Sequence, residues 1–144
     1  MIEIRTVELK EDTETFWIWF EIMVDMSIEN NYYEKELSLM LMLRMSFQDK
    51  IYAVFKNHKM IAYALVDSGD DNTMIAFMLV DCAFRREGIG KKLLDVIIES
   101  NLDNALYTET NDRTALAFYS QYNFKLDKSI TCKGDKYLTL KLQR

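Results

Sequence analysis

The segment Met74-Ile75-Ala76-Phe77-Met78-Leu79-Val80 contains no polar residue. A strand with one wet face alternates apolar and polar side chains, whereas a run without alternation must be covered on both faces. It therefore predicts a strand at the centre of a sheet. A loop with Gly88 and Gly90 follows, and then Ile89, Leu93, Leu94, Ile97 and Ile98 at helical spacing. A buried strand that feeds an amphipathic helix commits the chain to layers, with a sheet in the middle and helices packed on it.

The rest of the chain fits around that centre. Ile2 and Ile4 alternate with polar neighbours and predict a first strand. From Thr13 onward Phe16, Trp19, Phe20 and Met23 fall at helical spacing, with Asp12 or Thr13 as N-cap. Trp17, Ile18 and Val24 on the other side of this helix predict cover on more than one face. A second helix is expected from Tyr33 to Met45. Ile51 to Phe55 and Met60 to Val66 are β-type runs joined by a turn at Lys56 to Lys59. That places His58, the chain's single histidine, at a turn tip, where the residue is ordinarily solvated rather than catalytic. Ser68 to Asn72 is a further turn. Ala105 to Thr110 reads as a strand, and Ala115, Phe118, Tyr119 and Tyr122 define one face of a short helix. Phe124 to Thr131 and Lys136 to Leu142 form a closing hairpin around Lys133-Gly134-Asp135. The order β-α-α-β-β-β-α-β-α-β-β describes a mixed α/β domain over residues 1–144, its sheet flanked by helices on both faces.

Composition narrows the functional classes. With 49% hydrophobic and 28% charged residues, the chain is neither disordered nor fibrous. No apolar run approaches the ~20 residues that span a bilayer, so no membrane partner is expected. No leader segment is legible at the N-terminus, which makes the cytoplasm the default expectation. A net charge of -5 disfavours nucleic-acid binding, which needs a basic face. Cys82 and Cys132 stand far apart without companion ligands and are read as reduced thiols, fitting neither a zinc site nor a disulfide framework.

Glycine is scarce, four in 144 residues, yet two of the four occupy the junction of the central strand and its helix. Unpaired N–H groups and the positive end of the dipole at a helix N-terminus form an anion site, and glycine lets the anion approach the main chain. Three phosphate loops compete for this stretch. The Walker pattern fails at Arg85 and Lys92, and the dinucleotide fingerprint fails at Leu93. The pattern R-x-x-G-x-G does match, through Arg85, Gly88 and Gly90. Here the chain resembles the GNAT superfamily of N-acetyltransferases. The resemblance implies a central mixed, mostly antiparallel sheet and acetyl-coenzyme A as cosubstrate, with no metal. The main chain of Met78, Leu79 and Val80 would hold the pantetheine arm and thioester. The stretch Arg86, Glu87, Gly88, Ile89, Gly90 and Lys91, behind Arg85, would hold the pyrophosphate.

A second segment strengthens the likeness. Ala115-Leu116-Ala117-Phe118-Tyr119-Ser120-Gln121-Tyr122-Asn123-Phe124 resembles the family's A-x-x-F/L-Y-x-x-x-G-F, with Asn123 in place of the helix-ending glycine. When an amine attacks a thioester, the departing thiolate gains a proton, and by resemblance Tyr119 is the general acid. The family's cofactor-contacting asparagine falls at position 112, which is Asp here; Asn111, one residue early, is the candidate for that contact. For the general base, Glu109 on the fifth strand is the nearest carboxylate, with Asp81 and Glu21 behind it; a water relay is the competing route. The partners implied are acetyl-coenzyme A and an amine acceptor on a small molecule or protein, with a homodimer a reasonable expectation. Trp17, Trp19, Tyr32 and Tyr33 suggest an aromatic-lined acceptor cleft. The alternative is a coenzyme A-binding regulatory module or pseudo-enzyme, with the donor side intact and the acceptor side decayed.

Overall fold

Alternating Ile2 and Ile4 open β1 (Ile2–Glu8) in the computed structural model, which describes residues 1–30, 49–110, 113–132 and 134–144. Helix α1 (Thr13–Glu29) follows, and of the two candidate caps Asp12 takes the role: its carboxylate accepts from the Thr15 N–H at 3.1 Å. Thr13 instead turns its hydroxyl back to the Leu9 carbonyl, at 2.9 Å. The second expected helix, Tyr33 to Met45, lies outside the described residues. The chain continues through β2 (Asp49–Lys56), β3 (Lys59–Ser68) and β4 (Asn72–Val80). Asn57 and His58 both have positive φ, 52° and 66°, as a two-residue turn compatible with the right-handed twist of its strands requires. After a 3-10 turn (Cys82–Phe84) come α2 (Ile89–Ser100), β5 (Ala105–Thr110), α3 (Arg113–Ser120), β6 (Phe124–Cys132) and β7 (Asp135–Leu142).

The seven strands form one sheet in the order β1-β2-β3-β4-β5-β7-β6, so the unbroken apolar run is indeed the middle strand. Every pairing is antiparallel except that of β4 with β5. Side chains alternate across the sheet and build two cores. On one face Phe16, Trp19, Phe20 and Met23 of α1 pack on Ile51, Ala53 and Tyr63. Opposite them, Leu93, Leu94 and Ile97 of α2 and Tyr119 of α3 pack on Val54, Ala62 and Leu106. Burying a ring such as Phe16 completely contributes roughly 2–3 kcal/mol. The expectation that α1 is covered on more than one side is not met: Trp17, Ile18, Ile22 and Ile28 remain exposed, because a helix resting on one sheet face buries one stripe. Among the described residues no helix is long and apolar enough to cross a membrane.

A buried polar network fastens one end of the parallel pair. Thr73 Oγ1 donates to Asn101 Oδ1 at 3.3 Å and accepts from Asn104 Nδ2 at 3.0 Å. The Arg144 guanidinium donates to the Asn101 and Asn104 carbonyls at 2.8 and 2.9 Å. The end of α2, the turn after it and the start of β4 are thereby held together.

The Asp12 cap has a pH signature. Hydrogen bonds from the main chain and side chain of Thr15 hold its carboxyl below the ordinary value of 3.8. A carboxyl lowered on folding stabilises the fold above its unfolded pKa, and the contribution is lost as pH falls through the folded value. Asp12→Ala therefore lowers the thermal midpoint at neutral pH, and melts recorded at descending pH show the gap to wild type closing below 3.8.

Candidate active site

β4 and β5 pair only from Asn72 with Ala105 to Ile75 with Thr108. Beyond that point each strand keeps its outer partner: Val80 is still paired with Ala62 of β3, and Thr110 with Leu138 of β7. The two strands therefore splay apart within a continuous sheet. The Thr108 hydroxyl donates to the Ile75 carbonyl at 3.2 Å, at the last paired position. A cavity of about 700 Å³ opens in the gap, within the range of small-molecule and cofactor sites. Thr73 and Ile75 are buried, whereas Ala76, Phe77, Met78 and Val80 are only half-buried, because this stretch lines the opening.

The strand presents its main chain to that gap in alternation. The Asp81 N–H donates to the Ile61 carbonyl of β3 at 2.9 Å. In the antiparallel register that continues through Val80 with Ala62 and Leu79 with Tyr63, the main-chain groups of Leu79 also face β3. Those of Met78 and Val80 face the gap. Of the three residues expected to hold a pantetheine arm, Leu79 can supply only lining, its N–H and C=O being spent on the sheet. Val80's carbonyl meanwhile accepts from Arg85 Nε at 3.1 Å, which folds the arginine back against the strand end.

The loop brings the start of α2 to one end of the cavity. Gly88 stands at the N-cap of α2 with φ 76° and makes no side-chain cap, which leaves the first N–H groups of the helix without intrahelical acceptors. Arg86 adopts φ 66°, a conformation costing a non-glycine residue roughly 1 kcal/mol. A Cβ on Gly90 would meet the Phe118 ring at 3.3 Å and Val80 at 3.7 Å, so any larger residue there would press on that ring. Arg85, Arg86 and Lys91 line the cavity together with Gly88, Ile89 and Gly90. Glu87, expected with them in the same stretch, is exposed and does not line it.

Tyr119 and Glu109 reach the same cavity from opposite faces of the sheet. Tyr119 is buried in the core under α2 and α3, edge-on to Phe118 and Phe124, with its hydroxyl 3.6 Å from the Met78 sulfur. Leu106 lies in that core, and alternation along β5 turns Glu109 to the other face, where it is exposed. Asn123 takes φ 68° beyond α3, the left-handed conformation its position asks for. Asn111 lies outside the described residues.

Other sequence expectations separate here. Asp81 is engaged by Asn30, whose Nδ2 donates to its carboxylate at 3.2 Å, and Glu21 is exposed on α1; neither lines the cavity. Trp19 is a core residue, packed on Phe55 at 5.3 Å under the Arg5 guanidinium, and Trp17 packs edge-on to Phe16 and Phe20. These tryptophans do not line the cavity; Tyr32 and Tyr33 lie outside the described residues. Phe77, Thr108 and Phe118 line it without having been expected to. Their roles depend on where the strands part, which has no local sequence signal. Among the described residues no cluster of His, Cys, Asp and Glu suited to a metal ion is present.

Comparison with known proteins agrees with this architecture. A GNAT-family structure from Desulfovibrio desulfuricans superimposes with a TM-score of 0.80 over 99% of both chains, at 14% identity. The ribosomal-protein-S18-alanine N-acetyltransferase of Escherichia coli gives 0.77 at 18% identity, covering 99% of this chain and 93% of that one. A GNAT acetyltransferase from Elizabethkingia anophelis, solved with acetyl-CoA bound, gives 0.65 at 18% identity over 99% and 98%. No curated protein matches at the level of sequence. At such identities these likenesses establish the fold alone, a mixed sheet between helical layers. The model of the acetyltransferase (GNAT) domain, however, matches residues 48–126, more than half of the chain, including β4, the glycine loop and Tyr119; the protein is an acyltransferase of the GNAT family.

Proposed function

We propose that the chain transfers an acetyl group from acetyl-coenzyme A directly to a primary amine within a ternary complex. The observation that carries this reading is the placement of Tyr119 and Glu109 on opposite faces of one gap, with the free main-chain edge of β4 between them. A thioester laid along that edge has a proton donor on its thiol side and a carboxylate on the side open to an acceptor.

The pyrophosphate is held by the N–H groups at the start of α2, with Arg85, Arg86 and Lys91 supplying positive charge around it. The gap-facing N–H and C=O groups of Met78 receive the pantetheine arm as an added strand, the Val80 carbonyl being engaged by Arg85. The amine lone pair attacks the thioester carbon, and the Val80 N–H stabilises the oxyanion of the tetrahedral intermediate. Collapse of that intermediate breaks the C–S bond. Tyr119 gives its proton to the departing sulfur, and Glu109 receives the proton lost by the amine nitrogen. Both groups stand on elements of secondary structure, Tyr119 on α3 and Glu109 on β5, so their backbones are in place before the acceptor arrives.

The acceptor class is found by a thiol-release screen over polyamines, amino acids, aminoglycosides and peptide N-termini. With the acceptor so found, Tyr119→Phe lowers kcat about 100-fold while leaving coenzyme A affinity nearly unchanged, as expected of a group acting only in the transition state. Unchanged turnover removes Tyr119 as the acid. Glu109→Gln lowers turnover about 100-fold while leaving coenzyme A affinity nearly unchanged. Unchanged turnover in that variant assigns the amine proton to solvent.

A further inference from the structure

The turn that launches the glycine loop is capped from outside its own sequence. Asp81 is the N-cap residue of the 3-10 turn Cys82–Phe84, and aspartate is among the best residues for that position, yet its side chain makes no capping bond. The Cys82 N–H instead donates to Asn30 Oδ1 at 2.8 Å, across 52 positions of sequence. The same amide donates through Nδ2 to Asp81 Oδ1 at 3.2 Å and to the Met26 carbonyl at 2.8 Å. Asn30 thus closes α1 and, in one planar group, takes the first N–H of the turn while occupying the Asp81 carboxylate that would otherwise cap the following N–H groups of Ala83 or Phe84.

This arrangement selects a loop path. Main-chain bonds from Asp81 N–H to the Ile61 carbonyl at 2.9 Å, and from Phe84 N–H to the Asp81 carbonyl at 2.8 Å, fix the turn to the sheet but leave the Asp81 carboxylate free to swing. If that carboxylate turned inward to cap the turn at the Ala83 N–H, the entry to Arg85, Arg86 and Gly88 would change. Those residues are largely exposed, and two of them sit at positive φ, so they have little packing of their own to restore the path. We infer that Asn30 is a positioning residue for the donor loop: it holds Asp81 in the non-capping rotamer and so sets where the pyrophosphate-binding N–H groups stand. The inference rests on the proposed assignment of that loop to coenzyme A.

The test uses the full chain, coenzyme A as probe in titration calorimetry, and a temperature well below each variant's melting midpoint. Asn30→Asp keeps an acceptor for Cys82 but sets a carboxylate against Asp81; the expected loss of coenzyme A affinity is about tenfold. In Asn30→Asp with Asp81→Asn the donor and acceptor are exchanged, and affinity returns to within about threefold of wild type. Asn30→Ala, which adds no charge, also weakens binding and raises the KM for acetyl-coenzyme A more than it lowers kcat. A residue that merely stabilised α1 would lower melting midpoints without moving the affinity of the folded protein. Wild-type affinity in both single variants overturns the inference, as does a double variant no tighter than Asn30→Asp. Failure of the wild-type chain to bind coenzyme A overturns the loop assignment together with the inference.

Discussion

The structure depends on a sheet that declines to close. β4 and β5 form the one parallel pair in an otherwise antiparallel sheet, and their pairing ends at Ile75 and Thr108 although both strands run on. Unmade main-chain hydrogen bonds inside a protein are costly unless a partner arrives, so a parted strand pair in the middle of a sheet is a place for a ligand. Antiparallel partners on the outer side of each strand keep the gap from spreading. The network of Thr73, Asn101, Asn104 and Arg144 fixes the opposite end, so the two strands diverge from a fastened point.

Polarity follows the same geometry. Arg85, Arg86 and Lys91 gather at the loop end of the cavity, while Glu109 stands on the far face of the sheet. An anionic ligand and a cationic one would therefore be drawn to different ends of a single opening. Neither end depends on the overall charge of -5, which is set by carboxylates spread over the rest of the chain.

Much of this was legible in the sequence because it is local. The unbroken run Met74 to Val80 gave away the central strand, the helical spacing of Leu93, Leu94 and Ile97 gave α2, and the scarcity of glycine made Gly88 and Gly90 informative. Periodicity reports burial of each element, and burial is a property of one segment at a time. It does not report which residue of a neighbouring strand stands opposite. The departure point at Ile75 and Thr108, the turning of Leu79's main chain toward β3, and the bond from Asn30 to Cys82 are all long-range facts. Helical spacing in α1 separates Trp19, in the core, from Trp17, at the surface, but it does not report that neither lines the gap between β4 and β5.

Gly90 and Phe118 belong to the glycine loop and the tyrosine helix, one on each side of β5 in the sequence. They meet without a methyl group's worth of space between them. Phe118 is also edge-on to Tyr119, so the helix start that would cradle a phosphate and the ring that would deliver a proton are pressed against one another through a single aromatic side chain. Drift at either position is therefore not independent. A side chain at 90 would ask the Phe118 ring to give by a few tenths of an ångström, and a ring so displaced would press on Tyr119.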